Sequence, residues 1–188
     1  FLAALSMPSI LNLFKSKSLV IIASLIIIFL AIPTQLGLLW QFYSNKPLSK
    51  VSYEELKALS FLSNQGEKED IVLVAPFNGY ERDKYKDPPI PIYAWYDTGY
   101  VSAFSGKQTL ISDEEQVNIM GYDVNNLVKE RTEAFESSNP VKVNGFLKKY
   151  NIDYIYLAWD QKFKADTDKL NIDLVFENSD AKVFRARR

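Results

Sequence analysis

The sequence predicts an α/β chain in two parts. An N-terminal transmembrane helix, alone or as the second arm of a helical hairpin, is followed by a small α/β sandwich domain with a C-terminal β-hairpin. Three observations predict this. Residues 19–40 form a charge-free apolar run, LVIIASLIIIFLAIPTQLGLLW. Beyond it, capped helical stretches alternate with short apolar runs, the order of an α/β layer. At the end, IDLVFE and AKVFRA flank Asn178-Ser179-Asp180, a strand–turn–strand pattern.

The 188 residues leave room for one ordinary domain plus an extension. Acids and bases nearly cancel, 23 against 22, so bulk charge gives no reason to expect a nucleic-acid partner. The balance hides an asymmetry. Residues 1–43 hold no Asp or Glu and only Lys15 and Lys17, which leaves 23 acids against 20 bases from Ser44 onward. With no His and no Cys, a disulfide framework, a thiolate nucleophile, a Cys/His zinc site and a His-based triad are all excluded. The first residue is Phe, so the chain is expected to be a piece of a longer one.

The division expected is a membrane segment at 1–43 and an extracytoplasmic domain at 44–188. Leu19 to Trp40, as a helix rising about 1.5 Å per residue, spans about 33 Å, enough for a bilayer core of about 30 Å. Pro33, Thr34, Gln35 and Gly37 weaken its second half and predict a kink or an early exit. Trp40, Phe42 and Tyr43 suit the far headgroup zone. A cleaved signal peptide fits less well, because Pro-Thr-Gln-Leu-Gly follows the apolar run where a small-x-small site is needed. A buried core helix fits less well too, because Leu19–Ile32 has only Ser24 as a polar residue. Lys15 and Lys17 hold the near end in the cytoplasm and send the domain outside. Residues 1–14 read as the end of a preceding membrane helix, which makes the protein multi-pass, with the plasma membrane as its location and the bilayer as a partner.

In the domain, Ser52 and Glu55 have capping-box spacing, with Val51 and Leu56 at the staple positions and Leu56, Leu59 and Leu62 on one helix side until Gly66. IVLVA at 71–75 reads as a strand buried on both faces. Residues 77–91 read as a long loop. Tyr100–Phe104 and Gln108–Ile111 are expected to be two strands joined by a turn at Ser105-Gly106-Lys107, which lacks the frame of a phosphate loop. Helices are expected at 124–136 and at 140–150, the second started by Asn139 and Pro140. DYIYLAW at 153–159 is the next strand, and the whole gives a sheet of about four to six strands.

These parts, in this order, resemble the C-terminal end of the multi-pass bacterial and archaeal glycosyltransferases of the C type that use polyprenyl-phosphate sugars. Dolichyl-phosphate mannosyltransferases and aminoarabinose transferases are relatives of that group. The strings that carry the resemblance are YEELKALSFLSNQG, DIVLVAP, YVSAFSGKQTLIS, QVNIMGYDVNNLVKER, FLKKYNIDYIYLAW and LVFENSDAKVFRA. The resemblance implies a full-length transferase, with a lipid-linked sugar and a glycan acceptor as partners. It implies no catalytic residue here, since the family's catalytic carboxylate lies in an early outward loop and this chain has no acid before Glu54. No cofactor is expected. The function expected is an accessory domain that shapes the active-site mouth or recognises the acceptor. The alternative is a membrane-anchored module that binds glycan or protein without transferase activity.

Candidate substrate contacts are Trp95, Tyr96, Asp97 and Tyr100, from an aromatic-rich stretch at 77–104, together with Tyr122 and Arg131. Flat apolar faces beside an acceptor such as Asp97 suit a sugar, and the same rings suit sheet packing or the headgroup zone. Arg131 could take a phosphate, with Tyr122 lining the approach, or could pair with an Asp to fix a helix to a loop. Asp166-Thr167-Asp168 has a spacing that some sugar-nucleotide transferases use for a divalent metal. Lys162, Lys164 and Lys169 beside it favour a solvated turn, so no metal site is expected. Asp113-Glu114-Glu115 reads as the acidic first turn of a helix.

Overall fold

A computed structural model of the chain describes residues 16–187. The helix end expected at 1–14 lies outside the described residues. The chain divides into two compact units, Phe1–Lys46 and Pro47–Arg188.

In the first unit, α1 (Lys17–Ser44) is a single helix with Pro33 inside it. The early exit expected at Pro33 does not occur. Proline removes one rung of the ladder, and the run of Leu, Ile and Phe on either side keeps the rest. None of its most apolar window is buried within the chain, and Phe29 and Trp40 are each more than three-quarters exposed. The helix is long and apolar enough to cross a membrane.

The second unit is a mixed sheet between two helical layers. Strand β1 (Ser49–Lys50) leads into helix α2 (Tyr53–Ser63), whose Ser52–Glu55 capping box is complete. Its inward stripe is Glu55, Ala58, Leu59 and Leu62. Leu56, expected inside, is exposed; a spacing of seven brings residue 55, not 56, back over Leu62. Strand β2 (Ile71–Val74) follows. A 3₁₀ turn (Gly79–Lys84) and β3 (Ile90–Pro91) then lie within what the sequence reads as loop, and the short α3 (Ile92–Trp95) follows it.

Tyr100–Ser105 is a helix, α4, and not the strand expected. The Ser105-Gly106 pair is a helix C-cap: Gly106 is left-handed at φ 68°, and its N–H returns to Ser102 O. Tyr100, Val101 and Phe104 satisfy a helical period as well as an extended one, so the apolar pattern alone could not decide. Strand β4 (Gln108–Thr109) pairs parallel with β2 rather than with the segment before it. Helices α5 (Glu114–Ile119), α6 (Asn125–Glu136) and α7 (Pro140–Lys149) come next, then β5 (Ile152–Ala158) and the hairpin of β6 (Ile172–Glu177) and β7 (Ala181–Ala186).

The five-stranded sheet runs β4-β2-β5-β7-β6, parallel from β4 to β5 and antiparallel through the hairpin. Strand alternation sorts its residues into two cores. Leu73, Ile155 and Leu157 meet Phe135, Val143, Phe146 and Leu147 of α6 and α7. Val72, Tyr154, Tyr156 and Val183 meet Leu59 and Leu62 of α2, Ala94 of α3 and Val101 of α4.

Candidate functional site

Strand order fixes where a ligand crevice forms. From β2 the chain crosses to β4 on one side, while β5 lies on the other. The loops leaving the carboxyl ends of β2 and β5 therefore part, and ligands in open α/β sheets bind at such a switch point. Here a cavity of about 30 Å³ lies between those ends, lined on the β2 side by Val74, Ala75 and Phe77 and on the β5 side by Tyr156 and Gln161. Tyr93, Tyr96, Asp97, Thr98 and Tyr100 also line it, with Val101 and Ser112. An open shelf of about 620 Å³ shares Phe77, Tyr96 and Asp97 with it and continues along Glu114, Glu115, Asn118 and Ile119 of α5.

Of the residues singled out in the sequence, Tyr96, Asp97 and Tyr100 come together at this crevice. The Phe77 and Tyr96 rings stand 6.5 Å apart at 52°. The Tyr96 hydroxyl donates to Glu115, and the Asp97 carboxylate accepts from the Glu114 N–H at 2.8 Å. Trp95 lines neither space; the Arg82 guanidinium stacks on its ring at 4.1 Å. Tyr122 is exposed on the turn between α5 and α6, and Asp123 beside it caps Asn125. Arg131 is 1% exposed. Its Nη1 donates to Ile111 O at 2.9 Å and its Nη2 pairs with Glu114. The guanidinium is thus committed to the base of α5, where it holds the acidic rim of the shelf from below.

The crevice has a further layer behind it. Glu55 is wholly buried, and its carboxyl accepts from Tyr100 Oη and Tyr156 Oη, both at 3.3 Å, from Trp159 Nε1 at 3.2 Å and from the Ser52 N–H at 3.3 Å. Burial raises its pKa, and the hydrogen bonds from Trp159, Ser52, Tyr100 and Tyr156 pull the other way. Trp159 has φ 51°, a left-handed backbone that a tryptophan rarely adopts. Asp160 after it accepts from Tyr93 Oη at 3.1 Å and pairs with Lys84 of the 3₁₀ turn at 2.9 Å.

Sequence reasoning missed Glu55, Tyr156, Trp159 and Asp160 as parts of the site. Glu55 reads as a capping residue, which it also is. The signal for its second role is its spacing of seven from Leu62, which puts an acid on the inward stripe. The Asp166–Asp168 pair forms a turn: Asp166 accepts from the Asp168 N–H at 3.2 Å and pairs with Lys169. Asp113 caps α5 by accepting from the Gln116 N–H, so the acidic triplet opens a helix as expected.

No protein-family model matches the chain, and no curated protein matches its sequence. Among solved structures it is similar to the C-terminal globular domain of an oligosaccharyltransferase from Archaeoglobus fulgidus. The identity is 8%, the TM-score is 0.46, and the match covers 73% of this chain and 99% of that one. At that identity and score the likeness says nothing about ligand or activity.

Proposed function

We propose that this chain is the membrane-tethered C-terminal accessory domain of a polyprenyl-phosphate-sugar-dependent glycosyltransferase, and that its switch-point crevice contacts the glycan acceptor. Catalysis belongs to a region outside these residues. The observation that supports this reading is the crevice itself: the Phe77 and Tyr96 rings beside the Asp97 and Glu115 carboxylates, at the carboxyl ends of two parallel strands. A sugar ring presents a C–H face that packs on an aromatic ring and hydroxyls that need acceptors, so this pairing of groups suits it. Tyr96, Asp97 and Tyr100 are the proposed contacts. Trp95 braces the loop through Arg82, and Arg131 positions Glu114. The resemblance quoted from the sequence supplies the enzyme class, and Lys15 and Lys17 supply the orientation, with the domain outside the plasma membrane.

The alternative is a membrane-anchored module that binds a glycan or a protein without any transferase. The same crevice serves that role equally well. Tyr96→Ala in the full-length protein tests the proposal. It is expected to lower sugar transfer at least about tenfold while the domain stays folded, the loss expected for removing a ring and a hydrogen-bonding group from a contact surface. Unchanged transfer would remove the crevice from the reaction, and a full-length protein with saccharide binding but no transfer would favour the alternative.

A further inference from the structure

The phenols that wall the crevice have spent their protons. Tyr100 and Tyr156 both donate to Glu55, Tyr96 donates to Glu115, and Tyr93 donates to Asp160. With Tyr93 committed to Asp160, the Tyr85 hydroxyl is left to donate to Tyr93 Oη at 2.9 Å. These four phenols remain protonated at neutral pH. Burial raises Tyr93, Tyr100 and Tyr156 above the ordinary tyrosine range, and the bond to Glu115 raises Tyr96. A hydroxyl that has donated its proton keeps lone pairs and can only accept from anything further.

The shelf next to these phenols has the same polarity. Asp97 accepts from the Glu114 N–H, Glu114 pairs with Arg131 and Glu115 accepts from Tyr96. Each of the three carboxylates keeps its second oxygen without a hydrogen-bond partner among the described residues. Among the described residues Arg131 is the cation bonded to this rim; it is buried beneath it, with both terminal nitrogens occupied and only Nε, itself buried, without a partner. Thr98 Oγ1 is buried in the inner cavity with no partner. The side-chain donors in the lining are all neutral: the Thr98 and Ser112 hydroxyls of the inner cavity, the Gln161 amide, whose oxygen is fixed by the Ala158 N–H at 2.9 Å, and the Asn118 amide on α5.

We infer that the crevice selects by hydrogen-bond direction and charge. It takes a sugar that arrives as a donor, uncharged or bearing an ammonium group, and it excludes sugars bearing phosphate or carboxylate. This rests on the reading of the crevice as a sugar contact and adds a ligand class to it. It also reverses the role that the sequence allowed Arg131, since a phosphate on the shelf would face three carboxylates and no free guanidinium. A hydroxyl bonded to a carboxylate gains a charge-assisted bond, and an ammonium gains more, while an anion loses both.

The test uses the full chain in detergent micelles with three probes on one pyranose ring: glucosamine, glucose and glucose 6-phosphate. Binding is read by calorimetry and by saturation-transfer NMR at neutral pH and low salt. Glucosamine is expected to bind about tenfold more tightly than glucose, the scale of one charge-assisted hydrogen bond. Glucose 6-phosphate is expected to bind at least about tenfold more weakly than glucose, for the same reason with the sign reversed. Asp97→Asn combined with Glu115→Gln should close most of both gaps. Glucose 6-phosphate binding as tightly as glucosamine, with Tyr96→Ala abolishing both, would overturn the charge rule and leave the sugar site standing. Glucosamine binding that survives Tyr96→Ala would place the amine elsewhere and overturn the rule too. Failure of all three sugars to bind would overturn the sugar contact and this inference with it.

Discussion

Glu55 and Trp159, 104 positions apart in sequence, meet inside the domain, where the indole N–H donates to the buried carboxyl at 3.2 Å. The contact ties the first turn of α2 to the carboxyl end of β5. The Glu55 bonds to Tyr100 and Tyr156 add two walls of the crevice to the same anchor. One carboxyl therefore fixes groups from three elements, and its protonation state bears on all of them.

The pH dependence of stability follows from that burial. Burial holds the Glu55 pKa above its ordinary 4.5. A carboxyl with a raised folded pKa favours the folded state fully below its unfolded value, and the benefit is lost as pH rises through the folded one. Urea unfolding of the full chain, followed by tryptophan emission, should show stability declining as the pH rises above the ordinary carboxyl range. Glu55→Gln should flatten the decline. A decline that survives the substitution would assign it to another group.

Arg131 should behave as a strut. Arg131→Met leaves the Ile111 carbonyl and the Glu114 carboxylate without their partner, at an expected cost of about 2–3 kcal/mol in unfolding free energy. Glu114→Gln should cost less, because the bond to Ile111 survives. If Arg131 served only a ligand, denaturant midpoints of the unliganded protein would not move.

The capping box should matter by itself. Ser52 accepts from the Glu55 N–H at 3.0 Å, and Ser52→Ala should lower stability by about 1 kcal/mol. Ser52→Gly should cost less than Ser52→Ala despite its greater flexibility, since glycine is the better N-cap. The reverse order of the two variants would mean that the Ser52–Glu55 pair is not what starts α2.

The orientation read from Lys15 and Lys17 is checked at Ser179, which is exposed on the β6–β7 turn of a chain with no cysteine. Ser179→Cys should react with a membrane-impermeant maleimide in intact cells. Reaction only after lysis would place the domain in the cytoplasm.

The elements with local signals were legible in the sequence. Ser52 with Glu55, Asn139 with Pro140, and the terminal hairpin each announce themselves within a few residues, and each stands where the pattern puts it. Helix α4 was not legible, because Tyr100, Val101 and Phe104 fit either period and Gly106 serves a cap as well as a turn. The crevice was half legible. Its aromatic wall lies in one stretch, so Tyr96, Asp97 and Tyr100 could be picked out together. The wall from β5, and Glu55 behind it, belong to pairings of 101 and 104 residues' separation that no local pattern reports.

The order of the sheet has a consequence for how the protein is made. Strand β2 has a ladder partner on its second edge only when β5 pairs with it, and β5 begins at Ile152. Helix α1 ends at Ser44, so it leaves the ribosome more than a hundred residues ahead of the strand that completes the sheet. Whatever receives α1 receives it while the domain that follows is still an open chain. The crevice walls then come together only near the end of synthesis, once the segment that carries Tyr156 and Trp159 has emerged.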